Sequence, residues 1–81
     1  MVYVYVLKSL VSGKVYVGMA RDVSVRLEEH NAGKSKFTKG HKPWQIVYRE
    51  GHPDWVSGRV REKYLKSAAG KRWMRTQKII D

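Results

Sequence analysis

The sequence predicts one small α/β domain of element order β-β-α-β-α-α, and three observations carry that reading. Two β-rich runs, Val2–Lys8 and Lys14–Met19, flank a Ser12-Gly13 turn signal and so form an antiparallel hairpin. Two aspartates, Asp22 and Asp54, stand where the N-caps of helices belong. The length of 81 residues leaves room for one sheet with two or three helices, and none for a separate recognition domain.

The first run, VYVYVLK, is β-branched, aromatic or Leu up to its closing Lys8, and such continuous apolarity implies a strand covered on both faces. Period-two alternation places Tyr3 and Tyr5 on one face of it, and Tyr16 and Gly18 together on one face of its partner. From Asp22 a helix should run to about Asn31 and stop at Gly33. Val23 and Leu27 make its narrow buried stripe, and Arg26 and His30, also four apart, make a polar one. Residues 34–43 (KSKFTKGHKP) form a basic loop ended by Pro43, and Trp44–Glu50 is the third strand. Gly51-His52-Pro53 should turn the chain into a second long helix. Its apolar positions are Val56, Val60, Tyr64 and Leu65, with Glu62 off that stripe. Ala68-Ala69-Gly70 are expected to break this helix, and Lys71–Ile80 to form a short last one with Trp73 inward.

Seventeen Lys and Arg against seven Asp and Glu give a formal net charge of +10. Concentrating that charge in a compact body costs self-repulsion, and the usual compensation is a polyanionic partner. Nucleic acid stands ahead of an anionic membrane, because the charge is spread along the chain rather than confined to an amphipathic tail. The absence of cysteine excludes disulfides and thiolate zinc sites. No apolar stretch approaches the roughly 20 residues of a membrane span. The start, MVYVYVLK, has neither the basic region nor the cleavage site of a signal peptide, so a cytoplasmic location is the default expectation.

The acidic residues are few enough to take singly as candidate metal ligands. Asp22 and Asp54 are explained as caps, and Glu28 and Glu29 as solvated helix charges. Glu62, flanked by Arg59, Arg61, Lys63 and Lys66, reads on spacing alone as a surface carboxylate in intrahelical ion pairs. Arg26 and His30 alone read as a solvated stripe, and strand tyrosines as packing residues with a wet hydroxyl. No one of these signals decides a chemistry.

Their arrangement does more. Tyr5, then Tyr16-Val17-Gly18 after ten intervening residues, Arg26 and His30 on the next helix, and Glu62 on the helix after the third strand resemble the GIY-YIG nuclease family. The stretches YVYVLKS, KVYVGMARDVSVRLEEHNAGKSKFTKG, PWQIVYRE and REKYLKSAAGKRW extend the resemblance from Val2 to about Arg75. The resemblance implies a three-stranded antiparallel sheet flanked by helices, with the site on one face of the hairpin. It implies divalent-metal-dependent hydrolysis of phosphodiesters, with Glu62 holding a single Mg²⁺ or Mn²⁺ and Arg26 neutralising a phosphate oxygen. Tyr5 would be the general base, passing its proton to His30, and Tyr16 would position the water or phosphate.

A phenol titrates near pH 10, so this role needs its anion stabilised, and Arg26, the metal and the surplus positive charge are expected to do so. Gly18 should let the phosphate backbone approach the sheet beside Tyr16, or else relieve crowding on the pleat. Lys34, Lys36, Thr38, Lys39, His41 and Lys42, around Phe37 and Trp44, would contact phosphates and stack bases, with Lys66 adding a further cation. Three positions depart from the family pattern. Tyr3-Val4-Tyr5 stands for Gly-Ile-Tyr, Met19-Ala20 follows Gly18, and Met74 occupies a position where several relatives carry Asn. The expected partner is DNA ahead of RNA, cut without sequence specificity or by structure, with a recruiting protein compatible and the oligomeric state unread. The competing expectations are a nucleic-acid-binding module that does not cut and, further behind, a basic protein-interaction domain.

Overall fold

A computed structural model of the chain describes residues 1–81, and it places the most apolar strand at the centre. β1 (Val2–Ser9) pairs antiparallel with β2 (Val15–Ala20) on one side and β3 (Trp44–His52) on the other, giving the order β2-β1-β3. This is the three-stranded antiparallel sheet with flanking helices expected from the sequence. Alternation along β1 then sends its side chains into two cores. Val4 and Val6 join Val17, Leu65 and Met74 on one face, while Tyr5 and Leu7 join Val23 and Trp44 on the other. Together the cores bury Val4 through Leu7, in keeping with a run that carries no charged residue before Lys8.

Helix α1 (Val23–Asn31) covers the Tyr5 face. Asp22 caps it by accepting from the Val25 amide at 3.1 Å. Its other end closes in a Schellman arrangement, with Gly33 at φ +78° and Lys34 N–H reaching Glu29 O. Asn31 fixes this end to the sheet, its side chain accepting from Trp44 N at 2.6 Å and donating to Trp44 O at 3.2 Å. The basic loop that follows contains one 3₁₀ turn, Lys39–His41.

α2 (Trp55–Lys66), capped by Asp54, and α3 (Ala68–Thr76), capped by Ser67, cover the opposite face. Three expectations are corrected here. Gly51 and His52 extend β3 rather than turning the chain, because they pair with Tyr3 and Val2. The helix break is Ser67 alone, so Ala68-Ala69-Gly70 form the first turn of α3. Gly70 packs so tightly that an added Cβ would overlap Tyr64 O and Leu65 Cα. In α3 it is Met74 that is fully buried, with Trp73 half-buried beside it.

A further correction concerns the buried face of α2. Val56 and Val60 are 77% and 67% exposed, Tyr64 is also exposed, and of the expected apolar positions Leu65 alone is buried. The buried residues are Gly58, Glu62 and Leu65. Gly58 decides the rotation: a Cβ there would stand 2.7 Å from Met19 Cε and 3.2 Å from Val2 Cγ2. Close approach to the sheet is open to a glycine face and closed to a valine face. Turning the helix this way also carries Glu62 inward. No helix is long and apolar enough to cross a membrane.

Candidate active site

The register of β1 on β2 puts Tyr5 directly opposite Gly18 and Leu7 opposite Tyr16. Tyr5, only 1% exposed, shares a 3.1 Å hydrogen bond with His30 Nε2. His30 is itself fully buried, and its Nδ1 meets Thr38 Oγ1 at 2.7 Å. The Tyr16 ring closes over the pair, 6.3 Å from Tyr5 and 4.9 Å from His30 between centroids. Tyr3, the neighbouring candidate by motif, lies apart from this cluster beneath the Arg49 guanidinium. Tyr5, rather than Tyr3, is therefore the strand tyrosine that meets His30 and Tyr16.

A cleft of about 220 Å³ opens beside the cluster, lined by Tyr5, Tyr16, Gly18, Arg26 and Glu62, with Trp55 and Arg59 from the start of α2. Four of the five residues expected at the reaction centre thus meet at one cavity, and His30 stands behind Tyr5. Glu62 is 9% exposed, and Lys66 Nζ at 3.3 Å and Arg59 Nη1 at 3.8 Å approach its two oxygens. Of its other basic flanks, Arg61 turns away to Glu50, which Tyr48 and His52 also bind. Arg26 pairs with Glu29 at 3.1 Å while still facing the cleft.

The electrostatics of Tyr5 run against the sequence expectation. Burial of the phenol pushes its pKa up to about 12, the Tyr16 phenol and Glu62 add to the rise, and Arg26 opposes it without prevailing. Desolvation outweighs one guanidinium because the ring packs in one core with Leu7, Val23 and Trp44 and is almost wholly shielded from solvent. His30 is lowered from its ordinary value, by burial first and by Arg26 second, with Glu29 opposing. A neutral imidazole therefore faces a neutral phenol at neutral pH.

Three expected nucleic-acid contacts are reassigned. Thr38 is wholly buried, held between His30 Nδ1 and the Trp44 indole, which donates to its carbonyl at 2.9 Å. It orients the histidine and is closed to any phosphate. Trp44 is 5% exposed and equally unavailable for stacking, whereas Phe37, 81% exposed and 6.1 Å from Tyr16, remains free. At Gly18 an added Cβ would stand 2.6 Å from Tyr5 Oη and 2.9 Å from Tyr16 Cε2. The missing side chain thus makes room for the phenols, in keeping with relief of crowding rather than phosphate approach. Lys34, Lys36, Lys39 and Lys42 are exposed along the loop. Met74, where relatives have Asn, is fully buried in the other core and has no polar part to play.

The family model of the GIY-YIG catalytic domain matches residues 1–77. The chain belongs to the GIY-YIG family. UPF0213 proteins of Staphylococcus aureus strains Mu50 and N315 are each 36% identical to this GIY-YIG domain over 66 residues, covering 80% of it and 79% of their own length. The solution NMR structure of the UPF0213 protein BH0048 from Bacillus halodurans is similar at a TM-score of 0.57. It is 30% identical, with 96% of this chain and 86% of that one covered. Membership places the chain in a nuclease family and implies nucleic acid as its partner.

Sequence reading missed how α2 builds its wall of the cleft. Trp55, Arg59, Glu62 and Lys66 are spaced i, i+4, i+7 and i+11, a single helical stripe. That stripe mixes apolar and charged residues, so an apolar pattern passes over it. Thr38 carried no local signal, because its contact with His30 spans a loop.

Proposed function

We propose that this GIY-YIG domain is a divalent-metal-dependent endonuclease that hydrolyses phosphodiesters of DNA, either by structure or without specificity. The observation that carries the reading is the Thr38–His30–Tyr5 hydrogen-bonded chain ending at a cleft that also holds Glu62, Arg26 and Tyr16. Binding alone needs no carboxylate in a phosphate groove, where its charge opposes the ligand. Arg59 and Lys66 pair with the two Glu62 oxygens, contacts that a bound cation would displace.

No cluster of three or more His, Cys, Asp or Glu is present, so a cage built of protein ligands alone is out of reach. A lone hard carboxylate does suit Mg²⁺ or Mn²⁺, which keep most of their waters and take the rest of their ligands from substrate phosphate. Glu62 would hold that single ion, whose chemistry is neutralisation of the charge developing on the phosphate and its leaving oxygen. Arg26 neutralises a non-bridging oxygen. Tyr16 holds the attacking water in line. As that water attacks phosphorus, the bond from phosphorus to the leaving oxygen breaks and that oxygen takes a proton from solvent, while the water's proton passes to Tyr5 Oη and the phenol proton to His30 Nε2. In this reading His30 carries its own proton on Nδ1 and donates it to Thr38 Oγ1. The lowered basicity of His30 keeps Nε2 free to accept.

The raised pKa of Tyr5 favours a second reading, in which the fold binds nucleic acid and turns over slowly or not at all. One experiment separates the two. Plasmid, flapped and single-stranded DNA and RNA are incubated with Mg²⁺, Mn²⁺ or EDTA, alongside Glu62→Ala and Tyr5→Phe. The nuclease reading expects metal-dependent cleavage lost in both variants, with binding by Tyr5→Phe within about threefold of the parent. Binding without cleavage across the panel establishes the module instead.

A further inference from the structure

A cavity larger than the candidate cleft lies elsewhere on the molecule. It is a half-open groove of about 710 Å³ between the hairpin end of the sheet and α3. Its accessible floor is apolar, formed by Val15 and Ile80 over the buried Val17, Leu65 and Met74, and the exposed Phe37 ring stands at its side. Lys8, Lys66, Lys71 and Arg75 line it against a single carboxylate, Asp81. Asp81 binds Lys8 at 2.9 Å, and its main-chain oxygen accepts from Arg75 Nε at 3.2 Å. The Asp81 side chain is 94% exposed, so these contacts are weakly held and open to exchange.

Two residues join this groove to the cleft. Tyr16 lines both cavities, and Lys66, at the groove's edge, is the cation bound to Glu62. We infer that the groove is a subsite for an unpaired nucleic-acid strand leaving the cleft. Its phosphates meet Lys66, Lys71 and Arg75, and one splayed base lies on the apolar floor against Phe37. The occupant follows from the chemistry of the lining. Clustered cations call for a polyanion, and an apolar floor with a free aromatic edge calls for a polyanion that also carries flat apolar groups. A duplex keeps its bases paired and offers this wall phosphates only. An acidic peptide supplies the charge but not the rings. The displaced contact is Asp81, whose carboxylate and carbonyl oxygens already occupy the positions expected of phosphate oxygens beside Lys8 and Arg75.

The inference rests on the nuclease reading only for the strand's path out of the cleft, so its test is a binding measurement in EDTA that proceeds whether or not the protein cuts. Anisotropy of a labelled single strand of about 12 nucleotides is compared with that of its duplex and with competition by poly-glutamate. Lys71→Gln/Arg75→Gln should weaken single-strand binding at least about tenfold and make its logarithmic salt slope shallower by about 1.4, two contacts' worth. Phe37→Ala should weaken it about tenfold and leave duplex binding within about twofold. Arg49→Gln/Lys63→Gln removes the same charge away from the groove and should cost less than about threefold. Unchanged melting temperatures establish that the variants fold. The inference is overturned if the groove pair costs no more than the control pair, if duplex binds as tightly as single strand, or if poly-glutamate competes as well as the oligonucleotide. Cleavage with an inert groove leaves the nuclease standing without this subsite, and a working groove without cleavage leaves the subsite standing without the nuclease.

Discussion

Gly18→Ala tests the packing on which the site depends. The methyl group would sit 2.6 Å from Tyr5 Oη, 2.7 Å from Tyr5 Cζ and 2.9 Å from Tyr16 Cε2, all inside the distances that real Cβ contacts reach. Tyr5 cannot swing aside cheaply, because its ring is 1% exposed and its hydroxyl is tied to His30. Overpacking of this kind costs about 1–3 kcal/mol. For a domain of this size each kcal/mol lowers Tm by about 4–8 °C, so a fall of at least ~4 °C is expected by thermal denaturation. Gly40→Ala is the matched control, since its Cβ would meet nothing within 4 Å. That substitution should be neutral or stabilise by up to about 1 kcal/mol through the unfolded chain. In a Tyr5→Ala background much of the Gly18→Ala penalty should vanish, giving a coupling of about 0.5–3 kcal/mol. A Gly18→Ala protein as stable as its parent, or a penalty indifferent to Tyr5, would refute the account of why this strand carries glycine.

Thr38→Val keeps the buried shape but removes the oxygen beside His30 Nδ1, so it should cost about 1–3 kcal/mol by urea denaturation while Thr38→Ser recovers most of the loss. His30 gives stability a pH dependence of definite sign. Its unfolded value is 6.5 and its folded value is lower, so the folded state binds fewer protons between the two. Stability is full above pH 6.5 and falls as pH drops below it toward the folded value, so Tm should decline on acidification from pH 7, and decline less in His30→Gln. On α2, Leu65→Ala should cost about 2–5 kcal/mol and Val60→Ala no more than about 0.5, a contrast read directly from Tm that disappears if the apolar stripe is the buried face.

How far the site was legible depended on how local each signal was. Strand alternation and helical spacing gave the faces of Tyr5, Tyr16, Arg26 and His30, but on those signals alone they read as packing residues and a solvated stripe, and the family resemblance joined them. Glu62 was readable only through family resemblance, since its spacing among basic residues equally describes a surface ion pair. The structure keeps part of that description, as Arg59 and Lys66 do pair with it. Thr38 was misread as exposed because a basic, irregular loop gives no periodicity from which to tell inside from outside, and Trp44 because it stands where that loop enters β3.

The sequence by itself determined the element order, the central strand, the caps at Asp22 and Asp54, and the positive charge that makes a polyanion the natural partner. Each of these follows from neighbours within a few residues, where backbone sterics and side-chain spacing act directly. Tertiary structure alone decided which face of α2 turns inward, because Gly58 meets Met19 and Val2 from distant strands. It also decided that burial, rather than Arg26, governs the Tyr5 phenol. Rotation of a packed helix and desolvation of a ring both depend on atoms far away along the chain, and no local pattern records them.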